Sequence, residues 1–382
     1  MSDSNWSVPE TEVLSAVGDA LDADREAVLA TVIDVEGSAY RRPGAKMMIE
    51  DGESAGSVTA GCLEDEVRTL AADVRAAGEP RVETFDLTGD DGTWGLGMGC
   101  NGIITILLEP VDESHRPVVE RVAEGEDVGV VTVVDGDRPR GERGYYTPDE
   151  GFFGDLPAWL HAELTEPTAA LLGQGDTDTL QIDRDEGDVE VFVDGIEAPP
   201  HLVVFGSGPD VGPVVDLAKR VDFRVTVVGF RGAQATSEAF PAADEVLASS
   251  PANVESAVAF DPDTYAVVMT HNFVDDRLVL EALLDTPVPY IGLMGPTERF
   301  EELLDAFADE GVTLPEDVFE RIHTPIGLDL GGDSPYRIAY SIVGELLTVA
   351  NDRTPQHLSE RDGPIHDRTT ADPETADRTT PE

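Results

Sequence analysis

Residues 201–228 narrow the possible folds more than any other stretch. An apolar run, His201–Phe205, meets Gly206-Ser207-Gly208-Pro209-Asp210-Val211-Gly212; a helical segment to Arg220 and a second apolar run at 223–228 follow. Strand, glycine turn, helix and strand in that order make a βαβ unit, which belongs in a parallel sheet of Rossmann type. The pattern continues with strands at 265–269 and 290–293 and helices at about 275–284, 298–310 and 335–350. The fold class is therefore α/β. Two details set this turn apart from the usual dinucleotide fingerprint. Gly212 comes one position late for a third glycine, and the second strand ends in Gly229 rather than in an acidic residue that would hold a ribose. Gly206, Gly208 and Gly212 still form a candidate anion-binding turn at a helix N-terminus. His271, after Thr270, is a candidate at the carboxyl edge of the sheet, where ligands collect in open parallel sheets.

Pro199-Pro200 marks a boundary, and the other chemistry-bearing residues lie before it. Residues 9–24 read as an amphipathic helix and 27–35 as a buried strand. The next loop, running on to Lys46, carries Arg41, Arg42 and Lys46 within six positions, although basic residues are scarce elsewhere. That enrichment points to a bound anion, against the alternative of a local ion-pair network. After a strand at 47–50 and a turn at Asp51-Gly52, the stretch 56–64 (G-S-V-T-A-G-C-L-E) places Cys62 in a glycine turn that opens a helix at 63–77. A thiol there sits at the positive end of the helix dipole, with Ser57, Gly61 and Glu64 around it. The plain alternative is a small buried core residue. A strand at 81–86 leads to Trp94-Gly95-Leu96-Gly97-Met98-Gly99-Cys100-Asn101-Gly102, and another strand spans 103–108. The two cysteines are 38 positions apart in glycine-rich loops of one domain. Four readings compete: two ligands of one metal or oxo-metal cofactor, a redox disulfide, a sulfur-carrying thiol with a partner, or two unrelated core residues. Zinc is the weakest metal, because no neighbouring motif supplies further ligands.

Residues 113–198 echo the first part. Val131-Thr132-Val133-Val134-Asp135 matches Ala30-Thr31-Val32-Ile33-Asp34, and 154–164, 179–183 and 189–197 follow 56–66, 82–86 and 104–109 in order. We read a degenerate second copy of the same unit, one that has lost the cysteines and the basic loop and serves to complete a sheet. The expected organisation is 1–112 with both cysteines, 113–198 as the second copy, 199–350 as the Rossmann-like domain, and 351–382 as a disordered acidic tail.

Composition bounds the function. Asp and Glu number 78 against 25 Lys and Arg, a formal net charge of −53 spread over all segments. Such self-repulsion destabilises a compact state in dilute salt and is screened at molar salt, so the charge reads as adaptation to a halophile's cytoplasm. With no basic stripe to neutralise phosphates, nucleic-acid binding is disfavoured. Two cysteines make no disulfide framework; no apolar run of about 20 residues suggests a membrane span, and the first ten residues do not resemble a secretory signal. A cytoplasmic protein is expected.

Taken together, these motifs resemble the xanthine dehydrogenase accessory factor family, XdhC/CoxI. The resemblance rests on G-S-A-Y-R-R-P-G-A-K-M at 37–47, G-S-V-T-A-G-C-L-E at 56–64, W-G-L-G-M-G-C-N-G at 94–102, the glycine turn after 201–205, Thr270-His271, Y-I-G-L-M-G at 290–295 and H-T-P-I-G-L-D-L-G at 323–331. It implies a maturation factor that binds molybdenum cofactor, keeps it during sulfuration by a cysteine desulfurase, and passes it to a molybdenum hydroxylase such as a xanthine or carbon monoxide dehydrogenase. By that likeness Cys62 holds the cofactor with Cys100 near it, and the site lies between the two domains. Arg41, Arg42 and Lys46 would take the pterin phosphate, and a soft thiolate suits molybdenum or sulfur. The chain departs from the family at Pro209, where His is usual, and at Gly229, where Asp is usual; both weaken the alternative of an NAD(P)-binding oxidoreductase. A homodimer is expected, because the last helix has a broad apolar face.

Overall fold

The computed structural model describes residues 5–88, 101–183, 187–231, 235–312 and 314–361. The chain divides into two compact units, Met1–Pro199 and Pro200–Glu382.

The first unit contains one architecture twice. Helix α1 (Glu10–Asp22) precedes β1 (Val28–Ser38), β2 (Lys46–Glu50), β3 (Glu53–Gly56), α2 (Glu64–Ala77), β4 (Arg81–Asp86) and β5 (Asn101–Pro110). The strands form an antiparallel sheet in the order β3-β2-β1-β5-β4. Helix α3 (Arg116–Glu124) then precedes β6 (Val128–Gly136), β7 (Arg143–Thr147), β8 (Gly151–Gly154), α4 (Ala158–Leu172), β9 (Thr177–Ile182) and β10 (Val189–Ile196), whose sheet runs β8-β7-β6-β10-β9. The second order is the first repeated. Each copy lays its second helix on one sheet face. Val67, Ala71 and Val74 of α2 recur at helical spacing and are buried, and α2 stops at Gly78, whose φ of 68° gives a left-handed cap. Leu160, Leu164 and Thr168 do the same on α4.

The register fixes which residues correspond. Thr31 faces Lys46 in the first copy and Thr132 faces Arg143 in the second. Leu29 faces Glu109, and Val130 faces Asp194. The loop backbones match as well: Gly44 N donates to Val32 O at 2.8 Å, and Gly141 N to Val133 O at 2.9 Å. The second copy has therefore not lost the basic loop, contrary to expectation; it carries it as Arg138-Pro139-Arg140-Gly141-Glu142-Arg143. The reason lies between the copies. Lys46 Nζ donates to Asp194 Oδ2 at 2.6 Å and Arg143 Nη2 to Glu109 Oε1 at 2.6 Å, and all four side chains are buried. Each copy thus lends a cation to the carboxylate of the other. A buried ion left alone costs several kcal/mol, which keeps a basic residue at this position in both copies.

The second unit is a six-stranded parallel sheet. Its elements are β11 (His201–Phe205), α5 (Val211–Arg220), β12 (Arg224–Gly229), β13 (Glu245–Ala248), α6 (Val254–Ala257), β14 (Thr264–Val268), α7 (Phe273–Leu284), β15 (Tyr290–Leu293), α8 (Thr297–Asp309), β16 (Ile322–His323) and α9 (Pro335–Ala350). The order β13-β12-β11-β14-β15-β16 is that of a Rossmann fold. Helices α5 and α9 pack on one face and α6, α7 and α8 on the other, so all five residues of β11 are buried. Edge strand β13 lacks the apolar alternation that reveals strands in sequence, and only the structure discloses it. Of the expected tail, residues 351–361 are described, with a 3-10 turn at Leu358–Glu360; the rest lies outside the described residues. Among the described residues, no helix is long and apolar enough to cross a membrane.

Candidate functional site

The turn that holds Cys62 is built from Gly56 onward. Gly56 has φ +79°, and a Cβ there would lie 2.4 Å from Lys46 O and 2.6 Å from Val13 Cγ2, so only glycine fits. Ser57, Val58 and Thr59 are then buried, Gly61 takes φ +100°, and Cys62 is half-buried. Thr59 is the hub: its Oγ1 accepts from Cys62 N and Leu63 N, both at 3.2 Å, and donates to Glu64 Oε2 at 2.6 Å. Glu64 also accepts from Thr59 N at 3.0 Å and is itself buried. Burial pushes the Glu64 carboxyl up, but the Thr59 hydroxyl and the amides of Glu64, Thr59 and Gly61 outweigh it and hold the group below the ordinary glutamate range. A buried carboxylate thus ties down the turn and presents the thiol at the start of α2.

The loop after β1 approaches the same end of the sheet. Ala39 and Cys62 both pack against the core cluster beneath α2. The N-terminal segment joins the two loops: Asn5 bridges to Ala55 and accepts from Gly56 N at 2.8 Å, while the next residue, Trp6, stacks on Tyr40 with centroids 6.2 Å apart and planes at 25°. Arg41 pairs with Glu10 of α1. Arg42 is exposed and makes no ion pair among the described residues. Lys46 is a different case. Sequence spacing groups it with the two arginines as an anion ligand, but its ammonium is buried against Asp194 and Gly44 O, so its charge is already matched. Cys100 and the rest of its loop, 89–100, lie outside the described residues. Among the described residues, no group of three or more His, Cys, Asp or Glu is placed to hold a metal ion.

In the second unit the glycine turn and His271 meet. Gly206 has φ +151°, and a Cβ there would come 2.5 Å from Met269 O. His271, at φ +58°, puts Nε2 2.7 Å from Asp210 Oδ2. A Cβ on Gly208 would lie 2.5 Å from Asp210 Oδ1, so the chain's own carboxylate covers the glycine against which a pyrophosphate is laid in dinucleotide sites. Gly212 has nothing within 4 Å of the place its Cβ would take and does not serve as a packing glycine. An acidic residue at 229 has no room either, because a Cβ there would sit 2.4 Å from Ala235 Cβ. The turn thus departs from the usual dinucleotide site at Gly208, over which the Asp210 carboxylate lies, and at 229, where no acidic residue stands.

Three residues of this edge escape a reading of the sequence. Besides Asp210, Asp276 is buried, where it accepts from Thr270 Oγ1 at 2.5 Å and from Arg299 Nη2 at 2.5 Å. An acidic residue in the first turn of the helix after Thr270-His271 is the available signal. The 323–331 motif is anchored by Glu345 of α9, which accepts from Tyr290 Oη at 2.6 Å and from Gly327 N at 2.8 Å. His323 Nδ1 lies 3.5 Å from the other Glu345 oxygen.

A duplicated antiparallel α/β unit with a thiol-bearing turn at 56–64, followed in the chain by a Rossmann-type unit, defines the class of protein. Comparison with known proteins makes it particular. Residues 20–86 match the XdhC and CoxI family and residues 202–346 the XdhC Rossmann domain. The chain is 33% identical over 334 residues to a Bacillus subtilis (strain 168) protein named as a probable xanthine dehydrogenase subunit, covering 86% of this chain and 94% of that one. It is 22% identical over 357 residues to the molybdenum cofactor insertion chaperone PaoD of Escherichia coli (strain K12), covering 91% and 93%. A crystal structure described as a xanthine dehydrogenase from Bacillus halodurans superposes with a TM-score of 0.70 at 31% identity, covering 91% of this chain and 97% of that one. The chain belongs to the XdhC and CoxI family.

Proposed function

We propose that this protein is an accessory factor that binds molybdenum cofactor in its first unit and delivers it to a molybdenum hydroxylase of the xanthine or carbon monoxide dehydrogenase type. The observation that carries the reading is the turn at 56–64, a half-buried thiol fixed by Thr59 and Glu64 beside a loop with an uncommitted arginine. The residues suit the group: a soft sulfur for molybdenum or for a sulfur atom, and Arg42 for the pterin's phosphate. When bound, the cofactor would supply the metal centre of the recipient enzyme; this chain would hold and orient it. A cysteine desulfurase is the partner that would add sulfur while the cofactor is held, and Cys100 is proposed as a neighbour of Cys62. Family membership and the likeness to a cofactor insertion chaperone support the same reading. The oxidoreductase alternative has less support, given the Asp210 carboxylate over Gly208.

The test is the pterin content of protein purified in molar KCl, read as fluorescence after oxidation. Wild type should carry the pterin and Cys62→Ala should lose most of it. A pterin-free wild type, or equal content in the variant, removes the proposal.

A further inference from the structure

Tyr40 lies in the loop that follows β1. It is 55% exposed, stacks by one side on Trp6, and directly precedes Arg41 and Arg42. Exposure by itself is ordinary, since Tyr336 and Tyr340 are as open to solvent; Tyr40 is set apart by its neighbours, an aromatic ring on one side and two arginines directly after it. The second copy supplies the control. Counting back from the matched glycines Gly44 and Gly141, the position of Tyr40 is Asp137, and the arginines behind it are held by their own loop and by the end of β6. Arg138 Nε donates to Glu142 Oε2 at 2.7 Å, and Arg140 Nε donates to Val134 O at 2.6 Å. An exposed ring and an arginine without an ion pair thus occur together in the copy that has the thiol turn, and Asn5 and Trp6 link that ring to Gly56, where the turn begins.

We infer that the Trp6–Tyr40 stack is the seat for a flat heteroaromatic ring bearing a phosphate, with the ring on the open face of Tyr40 and the phosphate on Arg42. Aromatic faces accept fused nitrogen heterocycles by stacking, and the planar guanidinium fork can donate to two oxygens of a phosphate at once. This rests on the reading of the first unit as a pterin-cofactor carrier and names the ring-binding residues of that site. Tyr40 then selects the pterin ring, while Cys62 addresses the metal or sulfur end.

Three substitutions in the full chain separate a stacking seat from simple packing on Trp6. Tyr40→Phe keeps the flat face, Tyr40→Leu keeps apolar contact with Trp6 without a π-face, and Tyr40→Ala removes both. The readouts are the pterin carried on purification, the affinity for a fluorescent pterin monophosphate in molar KCl, and the thermal midpoint. Wild type and Tyr40→Phe should bind alike, and Tyr40→Leu and Tyr40→Ala about tenfold more weakly, with all four melting together. A Tyr40→Leu protein that binds like wild type overturns the inference while leaving the carrier reading intact. So does a Tyr40→Phe protein as weak as Tyr40→Ala, since the hydroxyl would then matter rather than the ring. A wild type that carries no pterin and does not bind the probe overturns both.

Discussion

After its edge strand the first copy takes seven residues, 57–63, to reach its helix, and the second takes three, 155–157. The short route runs through Asp155 and Leu156 to Pro157, which precedes α4 in an extended conformation and lets the helix begin at once. The long route folds into the Thr59 and Glu64 network and leaves Cys62 half-buried at its crest. The basic loops diverge in the same sense. In the second copy Arg138 and Arg140 close on their own loop and on Asp135, whereas the first has Ala45 where Glu142 stands, Arg41 reaches out to Glu10, and Arg42 is left to solvent. The part that differs is the rim; the part that is shared is the centre, where Lys46, Asp194, Arg143 and Glu109 exchange charges between copies. Duplication has kept the interface and left one rim open, the rim at which binding is proposed.

The largest effects should come from the shared centre. Arg143→Ala strands the Glu109 carboxylate in a buried setting and Lys46→Ala strands Asp194, and each should cost about 3–5 kcal/mol. Replacing a whole pair by apolar residues, Arg143→Met with Glu109→Leu, should recover most of that loss. Denaturant titration in molar KCl measures all three. If either truncation costs less than about 1 kcal/mol, the pairs are not what joins the copies and the comparison loses its common core.

Next comes the carboxylate that only the thiol copy needs. Glu64→Gln weakens its bonds to Thr59 and should cost about 1–3 kcal/mol at neutral pH. The folded-state pKa of Glu64 is lowered, so its contribution is present above the ordinary glutamate value and is lost as the pH falls through the folded value. The stability gap between wild type and Glu64→Gln should therefore close on acidification. A gap that stays constant, or widens, at low pH would show that Glu64 acts by packing and not by charge.

Sequence alone carries the Rossmann-type βαβ unit and the existence of the repeat, because both are written in local periodicity: the 201–228 unit by its glycines, the repeat by the matched runs at 30–34 and 131–135. It marks Cys62 and, through the G-C-L-E pattern, Glu64. It misjudges Lys46, whose partner Asp194 is 148 positions away; a local excess of basic residues does not reveal whether a distant carboxylate has already claimed one. For the same reason it hides the basic loop of the second copy. R-P-R-G-E-R and R-R-P-G-A-K align only through the shared glycine and the strand register. Gly212 already stands one position late for the fingerprint in sequence, and nothing lies within 4 Å of the place its Cβ would take. Tyr40 and Trp6 are out of reach because no sequence period links residue 6 to residue 40.

The smallest effect on stability should separate the two rims most sharply. Arg42→Gln removes an exposed charge that has no ion pair among the described residues, so the midpoint should move by no more than about 0.5 kcal/mol equivalent. Arg140→Gln, at the rim of the other copy, breaks bonds to Val134 O and Asp135 and should cost about 1 kcal/mol. Binding should run the other way. Affinity for pterin monophosphate should fall about tenfold in Arg42→Gln and stay at the wild-type level in Arg140→Gln, since a phosphate contact is a charge-assisted hydrogen bond. The dephosphorylated pterin should not distinguish the two variants. If Arg42→Gln keeps full affinity for the phosphate form, or if both variants lose it equally, the open rim of the first copy is no more a ligand site than the closed rim of the second.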